Sequence, residues 1–259
     1  MGKTQHQISA LLITLNEEEN ISAVLKNLDF ADEILVVDSY SNDATVSIIQ
    51  QHHGVKLLQR PFKNYTDQKQ FALEQASHNW VLFLDADERI TPDLKKELLE
   101  VVNAKEETAS AYYFLRTFMF KNQILRFSGW QTDKNYRLFK KDKVRFLQEK
   151  IVHETLEVDG PSATLRNKLI HYSYKSYEDY KGKMVKYGKM KAQEEFKKGK
   201  RAYWYHFVLR PTYKFFYHYI IRLGFLDGKK GITISYLNTL GVLSRFRELK
   251  RLQTETNGN

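Results

Sequence analysis

Three acids, Asp85, Asp87 and Glu88, fall within four positions directly after the unbroken apolar run Trp80-Val81-Leu82-Phe83-Leu84. A run of this length, rich in Val, Leu and aromatics, suits a strand buried on both faces in the parallel sheet of an α/β domain. Ligands of such sheets sit at the carboxyl ends of the strands. Residues i and i+2 of an extended segment point the same way, so Asp85 and Asp87 would face one point. Two carboxylates held that close repel unless a cation or a shared proton relieves them. Mg²⁺ or Mn²⁺ suits the place, because hard cations take carboxylate oxygen and keep open positions for substrate phosphates. The plainer alternative is a strand followed by a helix whose acids decorate the first turn, with Thr91 as N-cap and Pro92 at N1. That alternative accounts for Asp93 but not for Asp85 and Asp87, which precede the cap.

Two further groups carry chemistry. His153 and Glu154 follow the apolar pair Ile151-Val152, so one could reach a metal while the other abstracts a proton. Phe127-Ser128-Gly129-Trp130-Gln131-Thr132-Asp133 sets an aromatic beside a glycine in a polar loop. Trp130 could stack on a sugar or base, or it could pin the turn as a buried side chain.

The elements that must position these groups alternate. Ile8 to Leu15 reads as a strand, and Asn16 as the cap of a helix with Glu17 to Glu19 in its first turn. Ile34 to Val37 is a second buried strand, ending in the polar loop from Asp38 to Thr45, and a helix from about Ala44 to His52 follows. Val55 to Leu58 is a third strand, Asn64 to Ala76 a helix carrying Lys69, and Pro92 to Val102 a helix after the acidic strand. This order predicts a parallel, doubly wound sheet with acids at the ends of its second and fourth strands. After Ser110 the pattern changes to strands at Ala111 to Leu115, Asn135 to Phe139 and Val144 to Phe146. No G-x-G-x-x-G follows the first strand, which argues against a nicotinamide enzyme.

The 259 residues contain no cysteine, so neither a disulfide framework nor a thiolate metal site is available. Residues 1–174 carry 22 Lys/Arg against 24 Asp/Glu, net −2, whereas residues 175–259 carry 19 against 7, net +12. The chain therefore divides into an α/β domain over 1–174 and a basic, aromatic-rich helical extension over 175–259. Nucleic acid and an anionic membrane surface are the usual partners of such a basic block. In the extension Arg210, Lys214, His218 and Arg222 recur at i+4, beside Phe207, Phe215, Phe216, Tyr219, Ile220 and Leu223. Like charges at that spacing repel, which fits an anionic partner. The apolar runs are too short to span a bilayer, so a helix lying in the membrane interface is the expectation.

Thr14-Leu15-Asn16-Glu17, Val36-Val37-Asp38-Ser39 and Leu84-Asp85-Ala86-Asp87-Glu88 resemble family 2 glycosyltransferases of the GT-A fold. Arg137-Leu138-Phe139, Val152-His153-Glu154, His171-Tyr172-Ser173 and Gly224-Phe225-Leu226-Asp227-Gly228 narrow the resemblance to the bacterial lipopolysaccharide-core and lipooligosaccharide β-1,4-glucosyltransferase branch. It covers about residues 6–250. The resemblance implies a GT-A (Rossmann-like) domain, with Thr14, Asn16, Glu17 and Asp38 at the nucleotide and Lys69 near it. Ala86 and Trp130 would join that nucleotide-sugar site. Asp85 and Asp87 would be the metal–diphosphate motif, with Asp87 the direct ligand and Asp85 toward ribose or metal. Glu154 would be the catalytic base, and His153 or His171 would complete the metal shell.

The function implied is metal-dependent, inverting transfer of a sugar, glucose being the first candidate, from a UDP-sugar to a lipid-linked saccharide acceptor. Mn²⁺ or Mg²⁺ would be the cofactor. The place would be the cytoplasmic face of the membrane, with the extension on the anionic lipid surface. A nucleic-acid-binding protein would explain the basic extension but not the acids at two strand ends, and no nucleic-acid module motif is present. A nucleotidyltransferase would also want paired acids and a metal, but it would carry a glycine- and basic-rich loop where this chain has Asn16 and three glutamates.

Overall fold

The computed structural model describes residues 7–104, 106, 109–147, 155–174 and 176–257. The chain forms two compact units, one of residues 1–116 and 134–171, the other of residues 117–133 and 172–259. Residues 117–133 thus join the helical unit, a grouping that composition alone did not separate from the α/β domain.

In the first unit the strands are β1 (Ile8–Thr14), β2 (Glu33–Asp38), β3 (Val55–Gln59), β4 (Trp80–Asp85) and the two-residue β5 (Glu88–Arg89). They are followed by β6 (Ala111–Phe120), then β7 (Gln123–Leu125) in the second unit, β8 (Lys134–Lys140), β9 (Val144–Leu147), β10 (Thr155–Val158) and β11 (Ser162–Tyr174). The main sheet runs β3-β2-β1-β4-β8-β6-β11-β5, with β7 paired to β6, while β9 and β10 form a separate antiparallel pair. Strands β3, β2, β1 and β4 are parallel, and β8 joins β4 antiparallel. The doubly wound parallel arrangement expected from the sequence is therefore one half of a mixed sheet.

The period of two along β4 sorts its side chains between two cores. Leu82 and Leu84 pack with Ala10, Leu12 and Val36 beneath helices α1 (Ile21–Asn27), α2 (Thr45–Gln50) and α4 (Pro92–Val102). Val81 and Phe83 pack with Leu11, Leu35 and Val37 under α3 (Tyr65–Gln75). Each such side chain contributes about 1.5–3 kcal/mol by leaving water, which is why an apolar run without alternation folds as a central strand. The cap of α4 is the expected one, Thr91 Oγ1 accepting from Leu94 N at 3.2 Å, while Asn64, read as the first residue of a helix, is the cap of α3, its side chain accepting from Asp67 N at 2.8 Å. The cap of α1 is Asn20, not Asn16. Asn16 has φ of +56°, a left-handed conformation in which it cannot open a helix, and it serves the loop instead.

β11 was not foreseen. It alternates, with Leu165 and Leu169 buried and Thr164, Arg166 and Lys168 exposed, a half-buried strand pattern hidden among polar residues.

The second unit holds α5 (Tyr177–Lys197), α6 (Leu209–Phe216) and α7 (Lys229–Asn257). Helices α5 and α7 meet at glycines, because a Cβ on Gly188 would lie 2.4 Å from Gly241 O and 3.1 Å from Arg245 N. Gly188→Ala is expected to force the helices apart and cost roughly 1–3 kcal/mol. Gly182→Ala, in the same helix with open space around it, should be neutral or stabilise by up to about 1 kcal/mol. Thermal denaturation of both variants checks the contrast. Asp227 of the Gly-Phe-Leu-Asp-Gly segment accepts from Arg126 N and Phe127 N, both at 3.0 Å, and from Ser128 Oγ at 3.1 Å. Among the described residues no helix is long and apolar enough to cross a membrane.

Candidate active site at the tip of the fourth strand

The carboxyl ends of three neighbouring strands bring the predicted residues together. Thr14 on β1 stands opposite Asp38 on β2, and Ile13 opposite Asp85 on β4. Asp38 is fully buried. Its oxygens accept from Thr14 Oγ1 at 3.1 Å, Ser41 N at 2.9 Å, Ser41 Oγ, and Gln59 Nε2 at 3.1 Å. These protein donors fill its acceptor positions and shape the loop after β2.

That loop is laced to the one after β1. Asn16 N donates to Ser41 Oγ at 2.8 Å, Asn42 N to Asn16 Oδ1 at 2.9 Å, and Glu17 N to Thr45 Oγ1 at 2.7 Å. Asn16 and Tyr40 both hold positive φ, at +56° and +60°. Non-glycine residues persist there only when the surroundings over-determine them, and such sites concentrate where ligands bind.

Beyond Asp85 the chain turns. Ala86 and Asp87 form the turn, so the simple i, i+2 extended geometry does not apply to the two aspartates. The Asp85 carboxylate forms an ion pair with Arg137 Nη2. It is held well below the usual carboxylate range: burial opposes this, but the charges of Arg137, Lys69, His171 and Arg116 outweigh it. Asp87 Oδ2 lies 3.2 Å from His171 Nε2, and its side chain is one-quarter exposed. His171 therefore bears on both aspartates. Lys69, on α3, bears on Asp85 as well, and its ammonium sits 5.5 Å from the Phe83 ring centre.

Sequence reasoning gave no role to the three groups that hold this turn, Glu88, Arg137 and Arg89. Glu88 is fully buried, accepts from Arg137 Nη2 at 2.7 Å and from Asp85 N at 3.2 Å, and has Arg116 Nη1 at 3.6 Å. Glu88 also pairs in register with His171 across the β5–β11 ladder, which sets the imidazole beside Asp87. Arg89 closes the turn from the other side, donating to Ala86 O at 2.6 Å and to Asn20 O at 2.9 Å. The signal for Arg137 was there: a guanidinium directly before the apolar pair Leu138-Phe139 of a strand must find a carboxylate when it is buried.

An oxygen and a nitrogen donor side by side at Asp87 and His171 fit a divalent cation that shares its shell with a substrate. No group of three His, Cys, Asp or Glu side chains that could hold a metal occurs among the described residues. Two protein donors suit a cation that takes its remaining ligands from phosphate and water, as Mg²⁺ does in nucleotide sites. Asp85, predicted as a second metal ligand, has one carboxylate oxygen, Oδ2, on Arg137. His153 and Glu154 lie outside the described residues. Trp130, half-buried, packs against Phe118 in the second unit, ring centres 4.3 Å apart, as a side chain that pins its turn would.

Comparisons with known proteins show the family. Residues 9–158 match the family described as Glycosyl transferase family 2. The lipopolysaccharide core biosynthesis glycosyltransferase LpsC of Rhizobium meliloti is 30% identical over 226 residues, 85% of this chain and 82% of that protein. An uncharacterized glycosyltransferase of Rickettsia bellii is 28% identical over 97% of this chain and 88% of its own length. Among solved structures, residues 1–349 of S. aureus TarS superpose with a TM-score of 0.48 at 14% identity, covering 98% of this chain and 92% of that one.

Proposed function

We propose, for a chain that belongs to glycosyl transferase family 2 and is thus a glycosyltransferase, a metal-dependent inverting transfer of a sugar from a UDP-sugar to a lipid-linked saccharide. Lipopolysaccharide core biosynthesis, the process in which LpsC is named, is the setting this reading adopts, with glucose as the first sugar to test and the cytoplasmic face of the membrane as the place. The observation that carries the reading is the convergence of Asp85, Asp87, His171 and Lys69 at the tip of β4.

In the reaction, the acceptor hydroxyl oxygen forms a bond to the anomeric carbon as the bond from that carbon to the diphosphate oxygen breaks. The electron pair leaves with UDP, and the hydroxyl proton passes to a carboxylate, for which Glu154 is the candidate base. One displacement inverts the anomeric centre, and no covalent enzyme intermediate is required. Asp87 and His171 are the residues that would hold the cation, Mn²⁺ or Mg²⁺, whose chemistry is to neutralise charge on the departing diphosphate. An imidazole in that shell favours Mn²⁺, because Mg²⁺ takes oxygen ligands. Lys69 adds a fixed positive charge on the same side, and Arg137 keeps Asp85 ionised and oriented.

The test is release of UDP from a panel of UDP-sugars, with Mn²⁺ and with Mg²⁺, alongside thermal stabilisation by each nucleotide sugar. Stabilisation and UDP release with a UDP-sugar and Mn²⁺ are expected. A panel that neither stabilises the protein nor yields UDP would reject the reading. Glu154→Gln should lower turnover by about a hundredfold or more while leaving UDP-sugar affinity close to wild type. Normal turnover in that variant would remove Glu154 from the base role.

A further inference from the structure

Helix α6 and the turns on either side of it are inside out. In a helix on a water-facing protein surface, apolar side chains pack inward and charged ones face solvent. Here Trp204, Leu209, Tyr213, Phe216, Ile221 and Leu226 are exposed, Trp204 at 78%. The basic stripe read from the sequence at Lys214, His218 and Arg222 is turned inward instead. His218 Nδ1 lies 2.7 Å from Ser128 O, and Arg222 Nη2 donates to Gly129 O at 3.2 Å. His218 is held neutral, its pKa pushed down to about 4 by burial and by the charges of Lys214 and Arg222. Residues 203–236 hold fourteen of the twenty exposed large hydrophobic side chains among the described residues.

The fixing contacts keep that face outward. His206 stacks on Phe246 of α7 with ring centres 4.6 Å apart, so the turn before α6 is pinned by its inner side while Trp204 and the Tyr203–Tyr205 pair remain outside. After α6, Asp227 is tied to residues 126–128, which leaves Phe225 and Leu226 on the surface. The apolar side chains farther along, on α7, behave differently: Leu237, Phe246 and Leu249 are buried. The outward apolar face therefore belongs to the segment around α6.

We propose that this face, from Tyr203 to Tyr236, seats in the interfacial layer of an anionic lipid bilayer. The charge pattern selects that occupant. Residues 200–230 contain seven Lys/Arg and a single acid, Asp227, whose carboxylate is already bonded within the protein. Arg201, Arg210 and Lys229 are exposed beside the apolar side chains. Tyr and Trp at the level of basic side chains are what a headgroup region accommodates. A second copy of the chain suits the face poorly, because a two-fold contact would bring Arg201, Arg210 and Lys229 against one another's patch without acids to pair them. Nucleic acid would satisfy the charges but leave Leu209, Ile221 and Leu226 without a partner. The inference deepens the membrane-side setting proposed above, yet it stands on contacts that take no part in catalysis.

The experiment is flotation of the full chain with vesicles of phosphatidylglycerol and phosphatidylcholine in equal parts, with pure phosphatidylcholine vesicles as the comparison. Tryptophan emission is followed at the same time. Wild type should float with the anionic vesicles and show a blue shift. Trp204→Phe should float but lose most of the shift, because Trp80 is buried and Trp130 is packed in the protein. Phe216→Glu combined with Ile221→Glu should lower the bound fraction at least about tenfold with an unchanged thermal midpoint. Asp87→Ala should float as wild type does. If that paired Phe216 and Ile221 variant floats like wild type, the proposal is wrong. It is equally wrong if wild type ignores both vesicle types and instead forms a dimer in light scattering that the paired variant abolishes. UDP release without flotation would overturn the membrane seat alone, and flotation without UDP release would overturn the catalytic reading alone.

Discussion

Asp87→Ala is expected to lower UDP release from a UDP-sugar by about a thousandfold and to abolish the metal-dependent part of UDP binding. The expectation follows from where the side chain stands. Asp87 sits on the turn after β4, one-quarter exposed, with His171 Nε2 3.2 Å away. Little of the fold rests on it, so the thermal midpoint should hardly move, and the loss should lie in chemistry and metal affinity. Titration calorimetry with UDP, run with Mn²⁺ and with EDTA, separates the two contributions. Wild type should bind more tightly with the metal, and the variant equally in both conditions. Retention of a metal-dependent increment in the variant would move the cation away from Asp87. His171→Ala should act in the same direction with a smaller effect, because the charged oxygen donor, Asp87, remains.

Arg137→Leu is expected to be the most destabilising single change near the site. It leaves Glu88, which has no exposed surface, with Arg116 at 3.6 Å as its remaining ion pair, and it frees the Asp85 carboxylate. Removing one partner of a buried ion pair costs about 3–5 kcal/mol, because the other charge is left without compensation. For a chain of this size that corresponds to a fall in thermal midpoint of roughly 10 °C. Adding Glu88→Leu should recover much of the lost stability, since a buried ion pair replaced by apolar side chains is often neutral. Activity should not return with it. Glu88 also receives Asp85 N and aligns His171 through the β5–β11 ladder, so the repaired core would still lack an oriented Asp85. Recovery of both stability and UDP release would mean that the cluster holds the fold and does not organise the site.

The Arg137–Glu88 cluster also marks where sequence reading reaches its limit. The run Trp80–Leu84 followed by acids declares a buried strand with a polar tip, because no other placement hides five consecutive apolar side chains and exposes carboxylates immediately after. The caps at Asn64 and Thr91 are equally local, since each is set by one side chain and a backbone N–H three residues on. Charge counts separated an acidic-to-neutral α/β part from a basic extension. These features depend on neighbours in the chain, and the residue types by themselves determine them.

What needed the tertiary structure was the partner of each charged group. Asp85 and Arg137 are 52 residues apart, and His171 and Asp87 are 84 apart. Neither pairing can be derived from spacing, because it is the sheet order that makes β8 the neighbour of β4 and β11 the neighbour of β5. The same holds for the basic stripe near α6. Its periodicity was visible in the chain, but which face meets protein and which meets the surroundings was decided by contacts with Ser128, Gly129 and Phe246. Local patterns report which side chains share a face. Only the packing of distant segments, through buried charges that must be compensated and apolar area that must be covered, decides what that face touches.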